Sequence, residues 1–276
     1  YSRARNLHAT AKKIAVELNG VFPASAAELK HLKGVGDYTA AAIASFCYDE
    51  PVPVMDGNVQ RVVSRLLALE EPVDKPTGRN AIQKVLEEWI DRKDPATFNQ
   101  AIMEFGALQC TPQKPACDVC PLNSQCEAFA QRCVLDFPVK SAKTTVTDIW
   151  MYYIVAVHAS DVLVRQRVHS GIWRGLFDFP SIDAEEAIEW QNALDDWKAA
   201  RVDKQSVTLE SAPVEMLHVL SHRRVHAFFS EVRLTERIEP CEDEQWIPID
   251  QLPELGVSRL VDRYVREHSK LLGRVE

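Results

Sequence analysis

Residues 110–126 read CTPQKPACDVCPLNSQC, which puts four of the chain's seven cysteines into one short segment with the spacing C-x6-C-x2-C-x5-C and Pro121 directly after the third. Thiols this close in sequence suit metal ligation. A C-x2-C pair taken alone leaves a tetrahedral zinc site open. The odd total, with four cysteines crowded together, argues against a secreted disulfide scaffold and for metal binding in a reducing compartment. Cys47, Cys133 and Cys241 have no spacing partner and read as ordinary thiols.

The rest of the chain sets the context. Its 276 residues are enough for two domains, each with its own core, and its 46% hydrophobic content is that of a soluble globular protein. No run of eighteen apolar residues appears, and the opening YSRARNLHATAKKIAVEL is spaced as an amphipathic helix rather than a signal peptide, so a soluble intracellular protein with no membrane partner is expected. The net charge of -8 is uneven: residues 1–140 carry -1 and residues 141–276 carry -7. Bulk charge therefore neither requires nor excludes nucleic acid in the first half, where backbone donors would have to supply part of any phosphate grip.

From Tyr1 to about Phe129 the pattern is short amphipathic helices between turn residues, an all-α half. In PASAAELKHLKGVGDYTAAAIASFCY, Ser25 with Glu28 predicts a capping box, Gly34 and Gly36 break the first helix, and Asp37 is placed to cap the next. Gly34, Val35 and Gly36 let the backbone approach a phosphate, and the start of the second helix offers unpaired N–H groups to it. Downstream, PVPVMDGN sets Asp56 after an extended apolar segment and before a helix starting near Asn58, a position that fits a helix cap as well as a catalytic carboxylate. LDFPVKSAKTTVTD reads as a linker, and from Trp150 the β-branched and aromatic runs WMYYIVAVHA, DVLVRQRV, GLFDFP and AFFSEVRL give way to helices at AEEAIEWQNALDDWKAA and GVSRLVDRYVREHSKLL, an α+β half. The expected domains are residues 1–109 (helical), 110–135 (cysteine loop), 136–147 (linker) and 148–276 (α+β).

The complete cysteine spacing resembles the iron–sulfur loop of the endonuclease III superfamily of DNA glycosylases, and LKGVGDYTAAAIASF resembles its helix-hairpin-helix, with Lys33 in place of the usual proline. The resemblance implies that Cys110, Cys117, Cys120 and Cys126 ligate a 4Fe-4S cluster, that Gly34, Val35, Gly36 and Lys114 contact DNA phosphates, and that Asp56 is catalytic with Asn58 orienting it. Superfamily members with lyase activity carry a Schiff-base lysine just after the hairpin. Tyr38 stands there, which implies a monofunctional glycosylase with the tyrosine hydroxyl supporting Asp56. DVLVRQRVHSGIWRGLFDFP resembles the sheet that precedes the signature helix of Nudix domains, but SIDAEEAIEWQNALDDWK lacks that signature's carboxylate pattern, so pyrophosphate hydrolysis is not expected. HVLSHRRVHAFF resembles the loop with which adenine DNA glycosylases of the MutY family contact 8-oxoguanine, which implies recognition by Leu220, Ser221 and His222, Leu220 replacing an aromatic.

The whole pattern resembles that family and implies a base-excision repair enzyme: a monomer acting on double-stranded DNA with A:8-oxoguanine or A:G mispairs, in the cytoplasm of a bacterium and at its nucleoid. In that family a segment upstream of the opening helix supplies a glutamate that protonates adenine, and Glu17 and Glu28, on other helices, do not take its place. A catalytically impaired mismatch-binding module is the alternative expectation.

Overall fold

The computed structural model describes residues 1–141, 146–202, 207–210 and 212–270, in two compact units, Tyr1–Lys143 and Thr144–Glu276. Part of the expected linker, residues 142–145, lies outside the described residues. No described helix is long and apolar enough to cross a membrane.

The first unit is helical: α1 Ser2–Lys12, continued by a π turn at Lys13–Glu17, α2 Ala26–Leu29, α3 Asp37–Tyr48, α4 Gly57–Leu66, α5 Pro76–Trp89, α6 Pro95–Leu108 and α7 Glu127–Ala130. Alanines decide how α3 packs. Ala40 and Ala44 pack with Ile14, Ala26, Leu29 and Leu32, while Ala41 belongs to a second cluster with Val54, Val59, Val63, Val73, Ile82 and Leu86. Small side chains on both sides let one helix serve two cores.

The α2–α3 hairpin forms much as its residues predict. Ser25 accepts a hydrogen bond from the Glu28 N–H (3.3 Å) and donates to its carboxylate (3.0 Å), closing the capping box. Gly34 has φ +83, and a Cβ there would meet the Asn6 side chain at 2.6 Å. Asp37 does not cap α3: Gly36 is the N-cap, and Asp37, one residue inside the helix, pairs with Lys30 at 2.6 Å. The start of the expected linker is not free either. Phe137 is buried, Val139 C=O accepts from Val73 N–H (3.0 Å), and Ser141 donates to Asp74 (2.6 Å), so residues 137–141 belong to the helical unit.

The second unit is one mixed sheet between helices. Its described strands are β1 Thr147–His158, β2 Asp161–Gln166, β3 Phe177–Asp178, β4 Ser181–Ala184, β5 Val207–Leu209, β6 Val214–Val219, β7 Arg223–Leu234 and β8 Glu244–Pro248, with β1 and β7 parallel at its centre. The unbroken burial of Met151–Val157 follows from covering both faces. On one face α9, Arg259–Glu267, packs Leu260, Val261 and Tyr264 against Val155, Val225 and Phe229; on the other α8, Trp190–Arg201, packs Leu194 and Trp197 against Ile154, Ala156 and Val232. Aromatic pairs stack across the central strands, Tyr152 on Phe228 and Tyr153 on Phe229. The helix expected from Ala184 begins only at Trp190, because Ser181–Ala184 pairs with β1 as an edge strand.

Candidate active site and cysteine loop

Asp56 is both a cap and the centre of a polar chain. Its Oδ1 accepts from the Val59 N–H (2.8 Å) as the N-cap of α4, and its Oδ2 accepts from Asn58 Nδ2 (2.9 Å). The Asn58 Oδ1 accepts from Arg61 Nη2 (2.9 Å), whose Nη2 and Nε also reach the Gly106 carbonyl (2.6 Å) and the Cys110 carbonyl (2.7 Å). Burial and the neighbouring Arg65 lower the Arg61 pKa, while the Cys110 and Asp56 charges raise it. The approach to Asp56 is clamped separately: the buried Asn99 on α6 accepts from Val54 N–H (3.0 Å) and donates to Val52 C=O (2.9 Å). Gly106 is where α6 touches α4, since a Cβ there would lie 2.7 Å from Asn58 Cβ and 2.9 Å from its carbonyl oxygen.

Asn58 thus sits where the sequence puts it, holding Asp56. Tyr38 does not support Asp56: half-exposed on α3, it points its hydroxyl at Met103 Sδ on α6 (3.7 Å). Gly34 and Gly36 are exposed at the hairpin, Val35 is half-buried with its N–H bonded to Leu32 C=O (3.1 Å), and Lys114 is exposed in the cysteine loop. Arg61, Arg65, Asn99 and Gly106 were not singled out from sequence. The signal for the arginines is their four-residue spacing in VMDGNVQRVVSRL, which puts two cations on one side of an otherwise valine-rich helix.

The four cysteines carry free thiols and line one cavity with Val62, Arg65, Phe105, Leu122 and Phe129. Arg65, only 2% exposed, ties α4 to this loop: Nε donates to Phe137 C=O (3.1 Å), Nη1 to Thr111 C=O (2.7 Å) and Cys110 Sγ (3.4 Å), and Nη2 to Pro112 C=O (2.8 Å). Burial and the thiols of Cys110, Cys120 and Cys126 push the Cys117 thiol up, against a downward pull from Arg65; burial likewise raises Cys126.

In the second unit Leu220, Ser221 and His222 form the turn between β6 and β7, closed by Leu220 N–H to Arg223 C=O (2.8 Å). Ser221 and His222 are exposed, whereas Leu220 is half-buried and packs against the Val225 cluster.

Three family models match in chain order: a helix-hairpin-helix motif over residues 17–46, the iron–sulfur binding domain of endonuclease III over 110–126 and a NUDIX domain over 151–267. Along 99% of its length the chain is 36% identical to the adenine DNA glycosylase of Arabidopsis thaliana, and along 94% it is 29% identical to that of Schizosaccharomyces pombe. Over most of its length the chain is similar to adenine DNA glycosylases. It spans about half of the Arabidopsis glycosylase (49%) and 67% of the yeast one. A human adenine DNA glycosylase is 28% identical over 92% of the chain and 53% of its own length. Among solved structures, a non-covalent endonuclease III–DNA complex matches 48% of this chain and 59% of its own at 28% identity and a TM-score of 0.42.

In this family of glycosylases the loop holds a 4Fe-4S cluster. The residues fit one. Four thiols face a single cavity walled by apolar side chains and one buried cation, and the Thr111 hydroxyl, next to Cys110, is buried with no hydrogen-bond partner among the described residues. No group of three or more His, Cys, Asp or Glu among the described residues is placed to hold a single metal ion. Tetrahedral zinc would need its sulfurs within about 4 Å of one another, given Zn–S bonds of about 2.3 Å. A cluster sets its thiolates farther apart, because iron and sulfide lie between them.

Proposed function

We propose that the chain removes adenine mispaired with 8-oxoguanine, or with guanine, from double-stranded DNA by hydrolysing its N-glycosidic bond, as a monofunctional base-excision repair enzyme. The observation that carries this reading is the Asp56 carboxylate, held on one oxygen by the Val59 N–H and on the other by Asn58. Breaking an N-glycosidic bond builds positive charge on the sugar, and a carboxylate whose orientation is set before substrate arrives stabilises that charge without reorganising. The adenine must leave the stack to reach it. Asn58, itself held by Arg61, keeps Asp56 aimed. The exposed backbone at Gly34–Gly36 and the Lys114 ammonium grip phosphates, and Ser221 and His222 at the β6–β7 turn meet the 8-oxoguanine edge. When bound, the cluster supplies a cross-link that shapes the 110–126 loop. A monomer in the cytoplasm goes with this reading, since a reducing compartment keeps four thiols available to iron.

The test is incubation of the purified chain with duplexes holding A:8-oxoguanine, A:G or A:T, followed by alkali. Cleavage at adenine in the first two, none in the third and none before alkali is expected. Binding without excision would overturn the reading in favour of the mismatch-binding module. Replacing Ser221 and His222 with alanine should lower the preference for A:8-oxoguanine over A:G by about threefold to a few tens, the worth of one or two hydrogen bonds.

A further inference from the structure

Among the described residues the largest fully buried side chain is a charged one, Arg65. Its hydrogen-bond acceptors are the carbonyls of Phe137, Thr111 and Pro112 and the Cys110 sulfur, and none is a carboxylate. Among the described residues no salt bridge reaches it, in contrast to the arginines of the second unit, where Arg165 and Arg167 share Asp178 and Arg201 pairs with Glu244. Burying a guanidinium without a counter-charge is strongly unfavourable, and neutral carbonyls compensate it only in part. The missing anion has one source beside it. Arg65 lines the cavity of Cys110, Cys117, Cys120 and Cys126, and four thiolates outweigh the positive charge of the iron–sulfur core they hold, so the loaded site is an anion. Cys126 meets the same residue from the other side, its Sγ lying 3.4 Å from the Arg65 carbonyl.

We propose that Arg65 is the counter-cation of the cluster and a hydrogen-bond donor to the Cys110 sulfur, and that this pairing sets the cluster's reduction potential. The sign follows from charge. Oxidation removes one electron from the iron–sulfur core to a one-electron oxidant, forming and breaking no bond, and makes the site less negative. A fixed buried cation and a hydrogen bond to a ligating sulfur both favour the more negative, reduced member of the couple. Arg65 therefore protects the cluster against oxidation. It is a positioning residue for the cofactor, distinct from Arg61, whose acceptors include Asn58 and which serves the carboxylate. The proposal does not depend on the excision reading.

The experiment uses the full chain as cluster-loaded protein without DNA. The midpoint potential of wild type, Arg65→Lys and Arg65→Gln is measured by film voltammetry, alongside iron content. Arg65→Gln should lower the midpoint by at least the equivalent of a tenfold change in the redox equilibrium, which is 59 mV for one electron. Arg65→Lys, which keeps the charge, should lower it by less. A midpoint in Arg65→Gln that is unchanged or raised overturns the proposal. Should Arg65→Gln not retain iron, wild type carrying guanidinium-15N arginine is oxidised with ferricyanide and studied by pulsed electron paramagnetic resonance. A 15N coupling absent from Arg65→Lys is expected, and its absence from wild type overturns the proposal.

Discussion

Gly106→Ala is the substitution in which two physical effects oppose each other most directly. In the interior of an exposed helix, alanine in place of glycine should stabilise by about 1 kcal/mol. Gly106 lies in the last turn of α6 and is buried, and the new methyl would sit 2.7 Å from Asn58 Cβ and 2.9 Å from the Asn58 carbonyl oxygen. Carbon atoms pack best at about 3.5–4.0 Å, so α6 and the first turn of α4 must separate by most of an ångström or distort. Overpacking of this kind costs about 1–3 kcal/mol, and because the obstacle includes backbone it cannot rotate away. The net expectation is a loss of up to about 2 kcal/mol in stability. The functional loss should be larger than the stability loss suggests, because the displaced residue is the one that donates to Asp56. Urea unfolding followed by far-UV dichroism gives the first quantity, and single-turnover excision on an A:8-oxoguanine duplex, under conditions where the variant is fully folded, gives the second. Adding Asn58→Ala leaves both obstacles, the Cβ and the carbonyl, in place, so it should recover neither the stability nor the activity. A Gly106→Ala protein as stable and as active as wild type would show that α6 does not fix Asn58.

Asp56→Asn keeps an N-cap oxygen for the Val59 N–H, so the fold and duplex binding should survive while excision falls to background; retained excision would move the catalytic role elsewhere. Borohydride should not trap the protein on its substrate, because Tyr38 occupies the place where a Schiff-base lysine would act; a trapped adduct on gels would contradict this. In the second unit, burial pushes Glu244 up but the hydrogen bonds from Arg201 and the Cys241 N–H prevail and leave it below its ordinary 4.5. A depressed carboxylate stabilises the fold above its unfolded pKa and loses that contribution as pH falls through the folded value, so urea midpoints should drop below about pH 4.5 less steeply in Arg201→Met than in wild type. Removing iron by oxidation and chelation should loosen residues 110–126 and the Arg61 and Arg65 contacts to them, seen as faster hydrogen exchange there than in α5.

Much of the site was legible in the sequence because its parts are local. The capping box at Ser25, the break at Gly34, the Asp56 cap with Asn58 two residues on and the cysteine spacing all involve residues a few positions apart, where spacing alone dictates geometry. Two readings failed, one for a local reason and one for a distant one. Asp37 loses the cap because Gly36 adopts the extended conformation before it, and the Tyr38 hydroxyl turns to Met103, sixty-five positions away. The parts that sequence did not reveal, Arg61 to Gly106, Arg65 to Thr111 and Asn99 to Val54, span forty-five or more positions each, and no local pattern encodes such contacts. In the second unit β1, β2, β3 and β7 announced themselves through their β-branched and aromatic runs, but the shorter β5, β6 and β8 carried no such run long enough to read, and edge strand β4 hid inside an acidic stretch that favours helix.

The double packing of α3 bears on how a nucleic acid would be received. A helix held through Ala40 and Ala44 on one flank and Ala41 on the other cannot tilt or slide without opening two cores at once. The backbone of its first turn, which follows the exposed Gly36, is therefore held in place before any ligand arrives. An anion settling on those amides meets a finished receptor, so ordering the protein takes little from the binding free energy and the released counterions dominate the thermodynamics. On the proposed reading, helix and glycines together would work as a fixed ruler laid against the phosphate backbone, and whatever flexibility base extrusion demands would be left to the DNA.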